Sequence, residues 1–538
     1  MSFVAGLAAL PVLLGVGLGG TPVAATPEAQ GGAPAPRLQA AAPMAGDRGP
    51  TEMERLKRRY GYLVPDRAGY ERAKAEAGRN PVAARPQGPN RALAPTQLVN
   101  NPGIVDNTGV PSDSTGAIGT QRYIEMVNRR FGIYNRSMAL IGQGTLATLV
   151  GSASIDNVFD PQVIWDPTTN RFYYTADQIR AADGHFLLAL GFSKTAAPTS
   201  AADFCKYVLD YGPTDFPDYP KLGDTQHFWV IGVNVFTGNT FTGSDIIALT
   251  KPPAGPACPA ANTFGVTVKP DVKNANGTAA FTPVPANQTD TSPTGYVVAR
   301  PAAVPASVLS LYTVTRAATG AAVISNAANV PVPSYNLPAN APQRDTVRLL
   351  DTSDTRPTQA VSAVDPGRGG QVGLWTQHSV QGGAGSEVRW YEINPVNRTL
   401  FQSGRVTSPS LFSFNGAVSP DRKVQGTTRA FGSSMVLNFN TSSASTHPAI
   451  KVVSKVGAGA QSAPAVVVTS LGPNIDFSCD GANEPVCRWG DYAAATPDPA
   501  ASPTAARGVV FGTNMYNRDG RPNPGIANWL TRNFAHRP

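Results

Sequence analysis

The chain has 538 residues, 41% of them hydrophobic and only 15% charged, with 53 Gly, 49 Pro and a formal net charge of +8. Those proportions exclude a coiled coil, a collagen and a polytopic membrane protein. Abundant Gly and Pro, with Ala, Val, Thr, Ser and Asn making up much of the rest, suit strands joined by turns better than long helices.

In chain order, residues 1–25 begin with an uncharged apolar run, MSFVAGLAALPVLLGVGLGG, and end in small residues at the spacing a signal peptidase accepts. They predict a secretory signal peptide without the usual basic n-region; the run is short and Gly-rich for a membrane anchor. Its GVGLGG string matches a dinucleotide-binding fingerprint only formally, since no strand precedes it and no βαβ unit follows. Residues 26–98 are rich in Ala, Pro and Arg and predict a flexible linker or pro-segment, with one helix-capable stretch, TEMERLKRRYGYL, at Thr51–Leu63. This segment carries 12 basic and 7 acidic residues, which leaves only +3 of the net charge for the remainder. The basic balance is therefore a property of the arm. Nucleic-acid binding, which needs a basic face with stacking aromatics, is not expected, and membrane contact is expected only through the signal or the basic arm.

From residue 99 to 538, short apolar or alternating runs such as FYYTA, FWVIGVNVF, DIIALT, VLSLYTV and GVVFGTNMY follow one another between Gly, Pro, Asn and Asp turns. The fold class is all-β. An internal repeat selects a propeller among all-β architectures. Its clearest unit is FDPQVIWDPTTNRFYYTAD at Phe159–Asp177, a small-residue strand, a D-P turn and a strand carrying aromatics. Related units start near Asp218, Arg356, Phe414 and Trp489, with a degenerate copy near Pro293. Anchors 58 to 76 residues apart predict six four-stranded blades, with seven as the alternative count, and a strand from Tyr134–Leu149 closing the ring on the last blade. The four cysteines contain no C-x-x-C and favour two disulfides in an oxidising compartment. Connectivity stays open, Cys479 with Cys487 being the natural short-loop pair and Cys205 with Cys258 the second.

The strings DPQVIWDPTTNRFYYT, DYPKLG and CRWGDYAAATPDP resemble the repeats of secreted bacterial β-propeller proteins of the sialidase-like, BNR-repeat sort, over roughly residues 100–535. That resemblance implies a secreted propeller with a pocket at the central channel; the signal peptide predicts a secreted or cell-surface protein, and a monomer is expected. The S-x-D-x-G-x-x-W Asp boxes of true sialidases are absent; the nearest string, SPDRK at Ser419–Lys423, has Lys where Gly belongs.

Innermost strands of a propeller begin at the channel mouth, so the polar residues opening successive repeats converge on one axis. Asp160, Asp218, Lys221, Arg356, Asn415 and Asp491 are the resulting candidates for a channel-mouth site that takes a glycan or a surface protein. The plainer alternative is that each Asp bonds nearby backbone and ties the ring together. A sialidase-type hydrolase needs an Arg cluster for the substrate carboxylate and a Tyr activated by a Glu. Tyr391 and Glu392 are adjacent, but neighbours on a strand point to opposite faces. No G-x-S-x-G, H-E-x-x-H or P-loop occurs, and the five His have no ligand spacing. No cofactor is expected. Structural calcium stays open without a motif, the Asp-rich turn DNTGVPSDSTG (Asp106–Gly116) reading more readily as a solvated loop. The six Trp sit in apolar strands, where packing between blades explains them.

Overall fold

The computed structural model describes residues 36–42, 63–79, 92–480, 486–518 and 526–538. The expected signal peptide lies outside them, as does most of the helix-capable Thr51–Leu63 stretch. Among the described residues no helix is long and apolar enough to cross a membrane.

Seven antiparallel sheets follow one another along the chain. Their innermost strands are Thr115–Ile118, Asn157–Asp166, Asp215–Asp224, Ala280–Pro285, Pro357–Asp365, Phe412–Pro420 and Ala494–Pro497, and they define blades 1 to 7. Each inner strand touches that of the next blade, and the seventh touches the first, so the sheets close into a seven-bladed β-propeller. Seven apolar clusters alternate with the blades, each shared by two neighbours, as where Ile124, Phe131 and Leu149 of blade 1 meet Val163, Phe172 and Leu187 of blade 2. A sheet covered on both faces needs apolar residues on both, which is why strands such as Phe186–Ser193 and Phe228–Thr237 read as continuous apolar runs. All six Trp are buried in this packing or beside it.

The blade count is the alternative seven rather than six, for two local reasons. Blade 1, Thr115–Thr145, opens on Asp113-Ser114-Thr115 and has no D-P turn to mark it. Blade 4 opens at Phe281-Thr282-Pro283, whereas the anchor near Pro293 leads into its second strand, Gly295–Pro301. The closing strand also differs. Leu140–Thr145 is the outer strand of blade 1, and the ring is latched by Thr96–Pro102, which pairs antiparallel with the C-terminal strand Trp529–Arg537 of blade 7. That latch is reinforced by Glu125, which accepts from the Ile104 amide, Tyr134, Thr531 and Asn533.

Three stretches of the expected linker are part of the propeller. Arg37–Ala40 adds an edge strand to blade 2, Thr96 begins the latch, and Leu63–Arg79 packs at the channel mouth. In the last of these, Asp66 caps the helix Arg67–Arg79 by accepting from the Gly69 amide at 2.9 Å. Both disulfides form. Cys205–Cys258 joins blade 2 to a loop of blade 3, and Cys479–Cys487 closes the short loop before blade 7.

Candidate functional site at the channel mouth

Near the start of the inner strands the backbone departs from regular pairing in the same way again and again. Register shifts fall between Phe159 and Gln162, Asp218 and Lys221, Phe281 and Val284, and Phe414 and Ala417. Inside these bulges, or at the equivalent point of blades 1 and 7, a non-glycine residue takes left-handed φ: Asp113 (44°), Asp160 (52°), Tyr219 (60°), Thr282 (54°), Asn415 (48°) and Asp491 (58°). Each such residue costs about 1–2 kcal/mol of backbone energy. A bulge re-aims its side chain, and here it does so at the ring axis end. Gly490, at φ 74°, precedes Asp491 where a Cβ would strike the Asn415 amide.

The result is a compact charged and aromatic ring. Tyr219 and Tyr492 lie 4.6 Å apart between ring centroids, and the Lys221 ammonium sits 3.8 Å from one and 3.4 Å from the other. Tyr492 donates to Asp160 at 3.0 Å, and Tyr219 donates to the Asp491 carbonyl at 2.5 Å. Arg488 pairs with the Asp491 carboxylate. Arg356 grips Asp354 through two nitrogens at 2.8 and 3.1 Å, and Arg300 reaches the same carboxylate at 3.0 Å. Burial pushes the Asp354 carboxyl up, but Arg356 and Arg300 outweigh it and hold the group well below the ordinary range.

The remaining acids are answered more sparsely, Asp113 by the Asn128 amide and Asp160 by Tyr492. Asp177 is fully buried, and neither of its carboxylate oxygens has a hydrogen-bond partner. Burial, then the charges of Asp160 and Asp218, push it well up, and the Tyr219 amide directed toward it offsets only a small part of this. Burial and Asp160 likewise raise Asp218 to about 8, and burial, Asp160 and Asp491 raise Asp113. The Lys221 amine is buried and makes no hydrogen bond; burial drives it well below the usual lysine range. Asp160 and Asp218 are the members of the group that keep some residue surface exposed, though burial is the leading influence on both carboxyl groups.

Of the six residues singled out from sequence, Asp160, Asp218, Lys221, Arg356 and Asp491 share this ring and feel one another's charge. Asn415 stands beside it, but its amide bonds Asn440 and Asn514 and serves the joint between blades 6 and 7. Sequence reasoning missed Asp113, Asp177, Tyr219, Tyr492 and Arg488. Two of these had a signal, since Tyr219 and Tyr492 each adjoin a chosen Asp in the strings DYP and GDY.

The ring is also roofed by the chain itself. Arg356 donates to the Leu63 carbonyl at 2.9 Å, and Leu63 packs among Phe186, Phe216, Phe236 and Phe281. From the helix, Lys74 donates to Thr352 at 2.8 Å and Tyr70 to Asp351 at 3.1 Å. Inside the channel, inner-strand residues such as Gly116, Gln162, Leu222, Val284 and Gln359 leave about 20 Å³ free, room for about one water and not for a sugar ring. A larger open depression of about 490 Å³ lies away from the ring, between blades 3 and 4, with His227 and Arg316 in its wall.

The parts of a sialidase site are not brought together. Arg300, Arg356 and Arg488 are each engaged by Asp354 or Asp491. Tyr134 does donate to Glu125 at 2.7 Å, but at the joint between blades 1 and 7, and burial followed by the Glu125 charge pushes its hydroxyl up rather than activating it. Tyr391 and Glu392 point apart, the first to His378 and the second to Gln402.

No protein-family description matches the chain, and no curated protein matches it. Similar solved structures include the Dos1 propeller (9% identity, TM-score 0.35, covering 81% of this chain and 95% of that one). Others are the hemagglutinin-neuraminidase of parainfluenza virus 5 (10%, 0.33, 73% and 96%) and an exo-β-1,3-galactanase from Phanerochaete chrysosporium (9%, 0.28, 84% and 100%). Likeness at this level carries no argument about chemistry, and the propeller assignment rests on the closed ring of seven sheets.

Proposed function

We propose that the chain is an extracellular β-propeller binding module that takes a glycan or a surface-protein ligand at the channel mouth. One observation carries this reading: Asp160 and Asp218 are the partly exposed residues of an otherwise buried, strained ring at the channel mouth. Strained backbone and unanswered charge concentrate where binding is worth more than stability. Carboxylates accept from sugar hydroxyls and from Lys or Arg of a protein partner alike. Two disulfides suit an oxidising compartment. The sialidase-like alternative is disfavoured because its three arginines are committed to aspartates, and the narrow channel admits no sugar ring. A purely structural surface module is the remaining alternative.

The test is a glycan array probed with the purified chain, alongside turnover of fluorogenic sialosides. Retention of a defined glycan class, weakened at least about tenfold in Asp160→Asn, is the expected result. Turnover would reinstate the hydrolase. Neither retention nor turnover would remove both glycan readings and leave a protein partner or a scaffold.

A further inference from the structure

We propose that Asp160, Asp177 and Asp218 hold one divalent cation at the channel mouth, calcium in preference to magnesium. One oxygen from each carboxylate lies within 4.8 Å of the other two. Oxygens no farther apart than that can share one shell, and three carboxylates supplied by the protein suit calcium, with six to eight oxygen ligands at about 2.3–2.6 Å, better than magnesium, which keeps several waters and takes one or two carboxylates. The three come from separate strands brought together by the fold. Asp177, on the second strand of blade 2, lies opposite Phe159, next to the left-handed Asp160, while Asp218 arrives from the bulge of blade 3.

Asp177 turns this acidic cluster into a site. It is fully buried, it faces the other two carboxylates, and both of its oxygens lack a hydrogen-bond partner. A buried carboxylate without partners is expensive unless it is protonated or coordinates a metal. The neighbouring cations do not fill the role. Arg356 bonds Asp354 and the Leu63 carbonyl, Arg488 bonds Asp491, and the Lys221 ammonium lies between two tyrosine rings without a hydrogen bond. Asp160 and Asp218 are only partly buried as residues, so water would complete the ion's shell on their side. This inference concerns the metal alone and stands whether or not a glycan binds.

The full chain, stripped with EDTA and desalted, is titrated with calcium chloride and in parallel with magnesium chloride, followed by calorimetry, metal analysis and thermal unfolding. One calcium per chain is expected, with a Tm that climbs as calcium is raised and a magnesium affinity at least about tenfold lower. In Asp177→Asn the metal-free Tm is expected to equal or exceed that of the wild type, because a buried charge is gone, while calcium affinity falls more than about tenfold. Asp365→Asn, at the opposite end of the channel, keeps the calcium response. A wild-type chain that binds no calcium and whose Tm ignores it overturns the proposal, as does an Asp177→Asn chain that binds calcium undiminished. Should Asp177→Asn not fold, Asp218→Asn is read against the same two outcomes.

Discussion

Both ends of the channel are ringed by aspartate, and the two rings are wired differently. At the end where the inner strands finish, Asp166 accepts from the Thr168 and Thr169 amides and pairs with Lys251. Asp224 takes the same lysine at 2.9 Å together with Asn287 and the Gln288 amide. Asp421 accepts from the amides of Gly432, Ser434 and Gly508, and Asp498 from Arg136 and the Ala500 amide. Every one of these acids is answered, mostly by turn backbone. At the mouth, by contrast, Asp177 and Lys221 are buried without hydrogen bonds, and the residues between them adopt left-handed φ. The same residue type thus fastens turns at one end of the inner strands and sits crowded, buried and sparsely bonded at the other.

The sharpest way to test that contrast is to remove one lysine from each end. Lys251→Met strands Asp166 and Asp224 in a dry interior and is expected to cost about 3–5 kcal/mol in urea unfolding. Asp421→Ala comes next, at about 2–4 kcal/mol, since three backbone amides lose their acceptor. A smaller effect, visible only with pH, is expected behind the mouth ring. His378 donates from Nδ1 to the Thr355 carbonyl and accepts the Tyr391 hydroxyl at Nε2, both at 3.0 Å. Burial lowers its pKa to about 3, below the unfolded value, so the folded state binds fewer protons. Its contribution is complete above about pH 6.5 and is lost as the pH falls toward 3. Between pH 7 and 5 the wild type should lose on the order of 2 kcal/mol relative to His378→Gln, read from urea midpoints. The smallest change is expected for Lys221→Met, about 1 kcal/mol, because only its contacts with the Tyr219 and Tyr492 rings are lost and no hydrogen bond is broken. A cost near that of Lys251→Met would mean that the mouth ring is a fastening like the other.

How much of this was legible in the sequence follows the same division. Turn-capping aspartates announce themselves locally, because Asp166-Pro167 and Asp365-Pro366 carry both the acid and the turn in one string. They fixed the repeat and hence the propeller class. Blade 1, which lacks that string, went uncounted. Mouth residues are legible only where the acid itself opens a repeat, as at Asp160, Asp218 and Asp491. Asp177 was hidden because it sits in an apolar strand, where it reads as the end of FYYTAD, and its meaning depends on Asp218 from the next blade. Asp113 lies in the Asp106–Gly116 turn, which reads as solvated, yet it is buried, because its neighbours in the ring, Asp160 and Asp491, belong to blades 2 and 7, which flank blade 1 only once the ring is closed. The roof of Leu63–Arg79 was obscured by composition: Ala, Arg and Gly predict a linker, but a capped helix with a buried Lys74 is held by tertiary contacts that no local pattern reveals.

The latch of the ring has a consequence in time. Thr96 pairs with Arg537 and Pro102 with Arg532, so the last blade is assembled from the two ends of the propeller. On the ribosome the strand Thr96–Pro102 emerges early and must wait, with its backbone groups unpaired, until almost the whole propeller has been made. Its neighbour Glu125 waits with it, since two of its hydrogen-bond donors, Thr531 and Asn533, lie 406 and 408 residues further along the chain. Closure is therefore a late event of very long sequence separation, the slowest kind of contact to form. Until it occurs, blades 1 and 7 each expose an apolar face, which is the interval in which such a chain depends on a chaperone or is lost to aggregation.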